Sequence, residues 1–359
     1  MKEHKPRTAA PREINPVMAS AAMFAAGFVR TMTIKKYTPR SRQREFQLLE
    51  QKPETHLKRC QLFREKGAGQ FPTIVLGGFV PDSTESVEFQ RKMLREHGSI
   101  YYLNYPRQGF CSEMFAAQLS DLLTDLKRKG QKPLIMGISF GCGLLVNFLR
   151  QAPESVHEQI RGVVLISPVI CTDDLIRPAG IKKDGVRFLE NNLKKIVSAD
   201  PTNKNELEKH IERSRRCFQA LFNAGAENRS LSVRHLAIRN KIMDVINNTP
   251  SKGGFERVVA LRDFSFPAGT NTIFSGPVLT LLAENEYDIL VPSSPTMRLF
   301  SDSSEYARFF PNCRVRSVRS GLPDDGVAHA SLIFHHEAYN MLLDSWYSKL
   351  LYPKLQLAV

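Results

Sequence analysis

The sequence has a single tryptophan, Trp346, and six cysteines (Cys60, Cys111, Cys142, Cys171, Cys217 and Cys313), none of them in a CxxC pair. Six scattered thiols in a chain of 359 residues do not make a disulfide framework, and their spacing matches no zinc site. They read as ordinary thiols of a reducing, cytoplasmic compartment, and no metal or organic cofactor is expected. Long apolar runs are lacking. The longest, residues 16–29, has 14 residues, short of the ~20 that a helix needs to span a bilayer. There is no internal repeat and no low-complexity segment. Glycine and proline, at 21 each, are ordinary for the length. Collagenous, coiled-coil and wholly disordered classes are therefore excluded. No aromatic–basic RNA-binding signature is present either, so no specific nucleic-acid partner is expected.

Hydrophobic residues at 42% and charged residues at 24% describe an average globular protein. The length fits two domains, or one large α/β domain with an insertion. The charge is less ordinary: the chain carries a net +14, and residues 1–70 hold 15 Lys+Arg against 6 Asp+Glu, so +9 of the excess lies there. This basic arm encloses the apolar stretch 16–29 and looks like a signal peptide at first sight. Arg30, Lys35, Lys36, Arg40, Arg42 and Arg44 follow it directly, however, which disfavours export. Residues 1–41 thus read as a basic N-terminal arm whose short apolar segment packs on the body of the protein. The arm is also a candidate for peripheral membrane contact. The oligomeric state is not legible.

The body alternates short apolar runs with amphipathic stretches. Residues 42–49 and 56–63 interleave polar and apolar side chains and read as two strands. Residues 73–76 (TIVL), 99–103 (SIYYL), 132–137 (KPLIMG) and 162–166 (GVVLI) read as buried strands, separated by helical patterns at 84–97, 114–127 and 141–150. From 169 to 274 no strand pattern occurs and several helical ones do. Strands return at 277–282 (PVLTLL) and 314–318, and a helix at 331–350 closes the chain. Such alternation predicts a mostly parallel sheet covered on both faces, with about 100 helical residues inserted between two of its strands.

Within this pattern Gly137-Ile138-Ser139-Phe140-Gly141 places a G-x-S-x-G between a strand and a helix. A serine on so sharp a turn projects its hydroxyl from the top of the sheet, and glycines are needed where a Cβ would strike the neighbouring strand and helix. An activated serine needs a base and an acid that orients the base. His329, in Gly326-Val327-Ala328-His329-Ala330-Ser331, has small neighbours and precedes the last helix, so it is the candidate base. His335 and His336 read as structural. Asp288, heading Ile289-Leu290-Val291-Pro292 after the strand that follows the insertion, is the preferred acid, with Glu286 as its rival. The Gly77-Gly78 pair after the first buried strand would let the Phe79 N–H, with the Phe140 N–H, face a substrate carbonyl, and Gly78 would border the substrate. Each such donor is worth ~3 kcal/mol in the transition state.

On GISFG, LGGFVP, the Asp288…Pro292 segment, GVAHAS and the Arg107…Gly109-Phe110 loop, the chain resembles the α/β-hydrolase superfamily over residues 42–350. The resemblance implies an α/β-hydrolase core at 42–168 and 275–359, a helical cap at 169–274, and a triad of Ser139, Asp288 and His329. It departs from many relatives in having Gly77 where His is common, and Ala283 where Gly is common. The expected activity is hydrolysis of a carboxylic ester or thioester of a small-molecule acyl substrate. An acyltransferase with the same triad, or a binding protein on the same scaffold, are the alternatives.

Overall fold

The computed structural model describes residues 32–177, 187–200, 202–226, 231–264, 266, 271–322 and 325–353. The apolar stretch 16–29, the first residues of the basic arm, Val186 and Asp324 lie outside the described residues. The first elements are β1 (Ile34–Lys36), α1 (Gln43–Gln51), β2 (Gln61–Glu65), β3 (Thr73–Leu76), α2 (Ser83–Ser86), α3 (Arg91–His97) and β4 (Ile100–Asn104). They are followed by α4 (Ser112–Arg128), β5 (Leu134–Ile138), α5 (Phe140–Gln151), α6 (Glu154–His157) and β6 (Gly162–Ile166). Four helices come next: α7 (Arg187–Ser198), α8 (Lys204–Ala226), α9 (Val233–Asn248) and α10 (Ser251–Asp263). The chain then forms β7 (Val278–Ala283), α11 (Pro295–Ser301), α12 (Ser303–Phe309), β8 (Cys313–Val318) and α13 (His336–Leu351).

The eight strands form one sheet in the order β1-β2-β4-β3-β5-β6-β7-β8. β1 and β2 pair antiparallel, as do β2 and β4, and the other pairs are parallel. The inner strands are apolar without alternation because helices cover both faces. Their side chains still divide with period two. Ile74, Leu76, Ile135 and Leu165 join Phe115 and Leu119 of α4 and Leu144 and Leu145 of α5 on one face. Val75, Met136, Val164 and Leu281 join Leu94 of α3 and Tyr339, Leu343 and Tyr347 of α13 on the other.

Two expectations for the N-terminal part do not hold. Residues 42–49 are not a strand; they lie within helix α1 and its flank. Glu45, Leu48 and Leu49 face the protein while Phe46 and Gln47 face solvent, which is an i, i+3, i+4 stripe of good helix formers that ends before Pro53. Residues 53–58 form a 3₁₀ turn and only the end of the 56–63 segment pairs, as β2. Within the stretch read as the basic arm, Ile34–Lys36 adds an edge strand to β2, with Ile34 opposite Glu65. The signal of so short an edge strand, rich in lysine, is weak.

Between β6 and β7 the described residues hold no strand. α7, α8 and α10 share an apolar cluster of Leu189, Leu193, Ile196, Leu207, Ile211 and Val258. α9 contributes Ile238, Ile242 and Ile246 to a second cluster that includes Ile333 of the body. No helix among the described residues is long and apolar enough to cross a membrane.

All six cysteines are unpaired. Burial pushes the thiols of Cys60 and Cys171 up to about 12 and that of Cys142 higher still, which leaves almost no thiolate at neutral pH. Maleimide labelling of the native protein near neutral pH, mapped by peptide mass, is therefore expected to mark the half-buried Cys111 first. Equal rates at Cys142 and Cys111 would contradict this core.

Candidate active site

Ser139 connects β5 to α5 with φ 50° and ψ −114°, a left-handed conformation that a residue with a Cβ rarely adopts. Its N–H donates to Ile166 O at 2.9 Å and its carbonyl accepts from Cys142 N at 2.9 Å. The glycines follow from the closeness of the packing. A Cβ on Gly141 would stand 2.4 Å from Leu76 O in β3, and one on Gly137 would stand 3.0 Å from Cys142 Cα. Only glycine lets α5 start this close under the strand, which is why the motif reads G-x-S-x-G.

His329 stands in the loop between β8 and α13. Its Nε2 lies 2.9 Å from Ser139 Oγ and its Nδ1 lies 2.5 Å from Glu286 Oε2. The carboxylate that meets His329 is therefore Glu286 and not the preferred Asp288. Glu286 opens a 3₁₀ turn directly after β7, is buried, and its Oε1 accepts from Ala283 N at 2.7 Å. Asp288, two residues on, faces outward and is exposed. Partial desolvation raises its pKa, with the charge of His329 opposing and that of Glu286 adding. The choice is made by pairing between loops. Asn285 bridges in parallel to Ala328, with Asn285 N donating to Val327 O at 2.9 Å. That register sets the residue after Asn285 beside the residue after Ala328. Gly326 permits it, since a Cβ there would lie 2.4 Å from Asn285 Nδ2. No local signal in the sequence reports such a pairing.

The loop is held on its other side as well. Ala330 N donates to Ser167 Oγ at 2.9 Å, an anchor that the sequence reading missed. Ser139, Ser167 and Ala330 have φ of 50°, 45° and 51°, and they are the non-glycine residues with positive φ among the described residues. All three meet at this one place. His335 and His336 lie apart from Ser139, His335 bonding Ser331 Oγ at 2.9 Å.

The turn after β3 lies over the serine. Gly77 N donates to Ser83 Oγ at 2.8 Å, and Ser83 Oγ donates to Leu103 O at 2.6 Å. A Cβ on Gly78 would approach Ser139 Cβ to 3.8 Å. The rings of Phe79 and Phe140 meet edge to face at 5.4 Å. Gly78, Phe79, Phe140, Ser139 and His329 all border one cavity of about 200 Å³. Its far wall comes from Leu189, Leu193, Phe218, Ile242, Ile246 and Val258 of the inserted helices. No Asp, Glu, Lys or Arg is among the described residues of the lining. Among the described residues no three His, Cys, Asp or Glu side chains converge as a metal-binding group.

No protein-family model matches the chain, and no curated protein matches it in sequence. Solved structures do match it in three dimensions. An esterase from Exiguobacterium antarcticum superposes with a TM-score of 0.56 at 12% identity, over 80% of this chain and 95% of its own. The esterase RhEst1 from Rhodococcus sp. ECU1013 does so with 0.53 at 15% identity, over 81% and 96%. The chain has the α/β-hydrolase fold. A thermophilic esterase from Thermogutta terrifontis, crystallised with malate, matches at a TM-score of 0.52 and 17% identity, over 81% of this chain and 94% of its own. In an α/β-hydrolase fold the reactive groups gather outside the C-terminal ends of the parallel strands. Here the turns after β3, β5 and β6, and the loops after β7 and β8, meet there.

The exchange of acid has a direct test. Glu286→Gln is expected to slow labelling of Ser139 by a fluorophosphonate on the order of 10⁴-fold, because an amide disfavours the productive imidazole tautomer and leaves an imidazolium uncompensated. Asp288→Asn is expected to label close to the wild-type rate. The reverse order would restore Asp288.

Proposed function

We propose that this protein is a serine hydrolase that cleaves a carboxylic ester or thioester with an uncharged, apolar arm. The observation that carries this reading is the contact chain Glu286–His329–Ser139, 2.5 and 2.9 Å long, opening on an apolar chamber. Glu286 takes the Nδ1–H of His329, which leaves Nε2 to accept the Ser139 hydroxyl proton. Ser139 Oγ then attacks the substrate carbonyl carbon, and the proton passes to Nε2. The imidazolium so formed sits against the buried Glu286 carboxylate, whose other oxygen is held by Ala283 N. The carbonyl oxygen of the tetrahedral intermediate gains negative charge beside the first turn of α5, where backbone N–H groups lack helical acceptors. The Phe140 and Phe79 N–H groups are its donors in this reading. The proton on Nε2 moves to the leaving alcohol or thiol as its bond to the acyl carbon breaks. Water then attacks the acyl-serine, giving its proton to His329, and collapse of the second intermediate releases the acid and restores Ser139.

The chamber supports the choice of substrate. A dry apolar cavity of about 150 Å³ takes up benzene, so one of 200 Å³ suits an arm somewhat larger than a phenyl ring. A charged arm would lose its hydration there with no ionic partner in return. The inserted helices act as the cap that sets this specificity.

Labelling with a fluorophosphonate, comparing wild type with Ser139→Ala and His329→Ala, is the first test. Loss of labelling in Ser139→Ala and strong reduction in His329→Ala are expected. In a p-nitrophenyl ester series, kcat/KM is expected to peak at chains of roughly four to eight carbons and to collapse for acyl groups ending in a carboxylate. Folded wild-type protein that neither labels nor hydrolyses would replace this reading with a binding protein for an apolar ligand.

A further inference from the structure

We infer that Arg257, a residue of the helical insertion, positions the oxyanion turn after β3, an inference that rests on the hydrolase reading above. Arg257 lies on α10 and is 3% exposed. Its Nη1 donates to Phe79 O at 2.8 Å. Its Nη2 donates to Pro106 O at 3.2 Å and to Tyr105 O at 3.4 Å, and the guanidinium carbon stands 5.6 Å from the centre of the Tyr105 ring. Tyr105 Oη in turn donates to Gly77 O at 3.0 Å.

These contacts bracket one peptide unit. The Phe79 N–H belongs to the peptide between Gly78 and Phe79. The unit before it is held through Gly77 O by Tyr105, and the unit after it through Phe79 O by Arg257. Peptide units are planar and trans, so pinning the two neighbours restricts the rotation of the one between them. Glycine pairs are otherwise free to rotate. The direction of the Phe79 N–H is thereby decided from outside its own loop.

The helix that carries Arg257 is itself seated. A Cβ on Gly253 would stand 1.7 Å from Arg107 O. Glu256 accepts from Phe110 N at 2.6 Å and from Lys58 Nζ at 3.1 Å. α10 thus rests on the loop after β4 with little freedom to slide. Arg257 forms no ion pair among the described residues, and desolvation holds its pKa below the ordinary value. A guanidinium in this place is compensated by three carbonyls, and a lysine could not reach all three with the same fork.

The test compares Arg257→Lys and Tyr105→Phe with wild type on the best p-nitrophenyl ester, reading kcat and KM separately and recording thermal melting. Arg257→Lys is expected to lose about 10- to 100-fold in kcat, and Tyr105→Phe less, while KM stays within about threefold because the lost interaction acts on the transition state. A residue that only fastens the insertion would raise KM or lower the melting temperature and leave kcat alone, and that result overturns the inference. If Arg257→Lys does not fold, Tyr105→Phe decides: unchanged kcat overturns the inference and reduced kcat supports it. Wild-type protein without any hydrolysis would instead remove the hydrolase reading, and Arg257's role with it.

Discussion

The structure depends on one strained turn. Ser139 holds a backbone conformation that costs of order 1–3 kcal/mol for a residue with a Cβ, and it persists because everything around it over-determines it. α5 starts so close to β3 that Gly141 nearly touches Leu76 O, and the carbonyl of Ser139 accepts from both Cys142 N and Val169 N. The same strain recurs at Ser167 and Ala330, which are joined to each other by a hydrogen bond. Relaxing any of the three would move the serine, the histidine loop or the turn between them, so the sheet ends and the reactive groups form one mechanical unit.

The helical insertion belongs to that unit. Asp174, fully buried where the chain leaves β6, accepts from Ile170 N at 2.8 Å and from the hydroxyls of Ser294 and Thr296 at 2.6 Å each. It ties the entrance of the insertion to the stretch after β7. On the far side Arg234 of α9 reaches Glu88 of the body, Nε to Oε1 at 3.0 Å. α10 lies between, carrying Arg257 to the turn after β3. The helices that wall the chamber are thus coupled to the turn after β3, and in the proposed reaction substrate selection and transition-state stabilisation would share a support.

The edge of the sheet opposite β8 shows how composition misleads at short range. The basic arm is lysine- and arginine-rich, yet Ile34–Lys36 pairs with β2. Glu65 of β2 is buried against Arg91, with Nη2 to Oε1 at 2.7 Å, and accepts from Tyr102 at 2.8 Å. Side chains that count as surface charge in a composition table are here paired polar groups inside the fold.

Serine, histidine, the glycine turns and the order of strands and helices were legible in the sequence, because each rests on a local constraint. A buried parallel strand must be apolar on both faces. A strand-to-helix turn around a serine must have glycines where a Cβ would collide, and a loop that offers a histidine is made of small residues. The carboxylate that meets His329 was not legible. Glu286 and Asp288 share one short turn, and only the bridge between Asn285 and Ala328, in the loops that follow β7 and β8, turns the first inward and the second to solvent. The anchor at Ser167 and the reach of Arg257 to Phe79 were decided in the same way. Each depends on which surface lies opposite, a long-range pairing that residue types and spacing do not encode and that exists only once the sheet, the loops and the insertion have packed together.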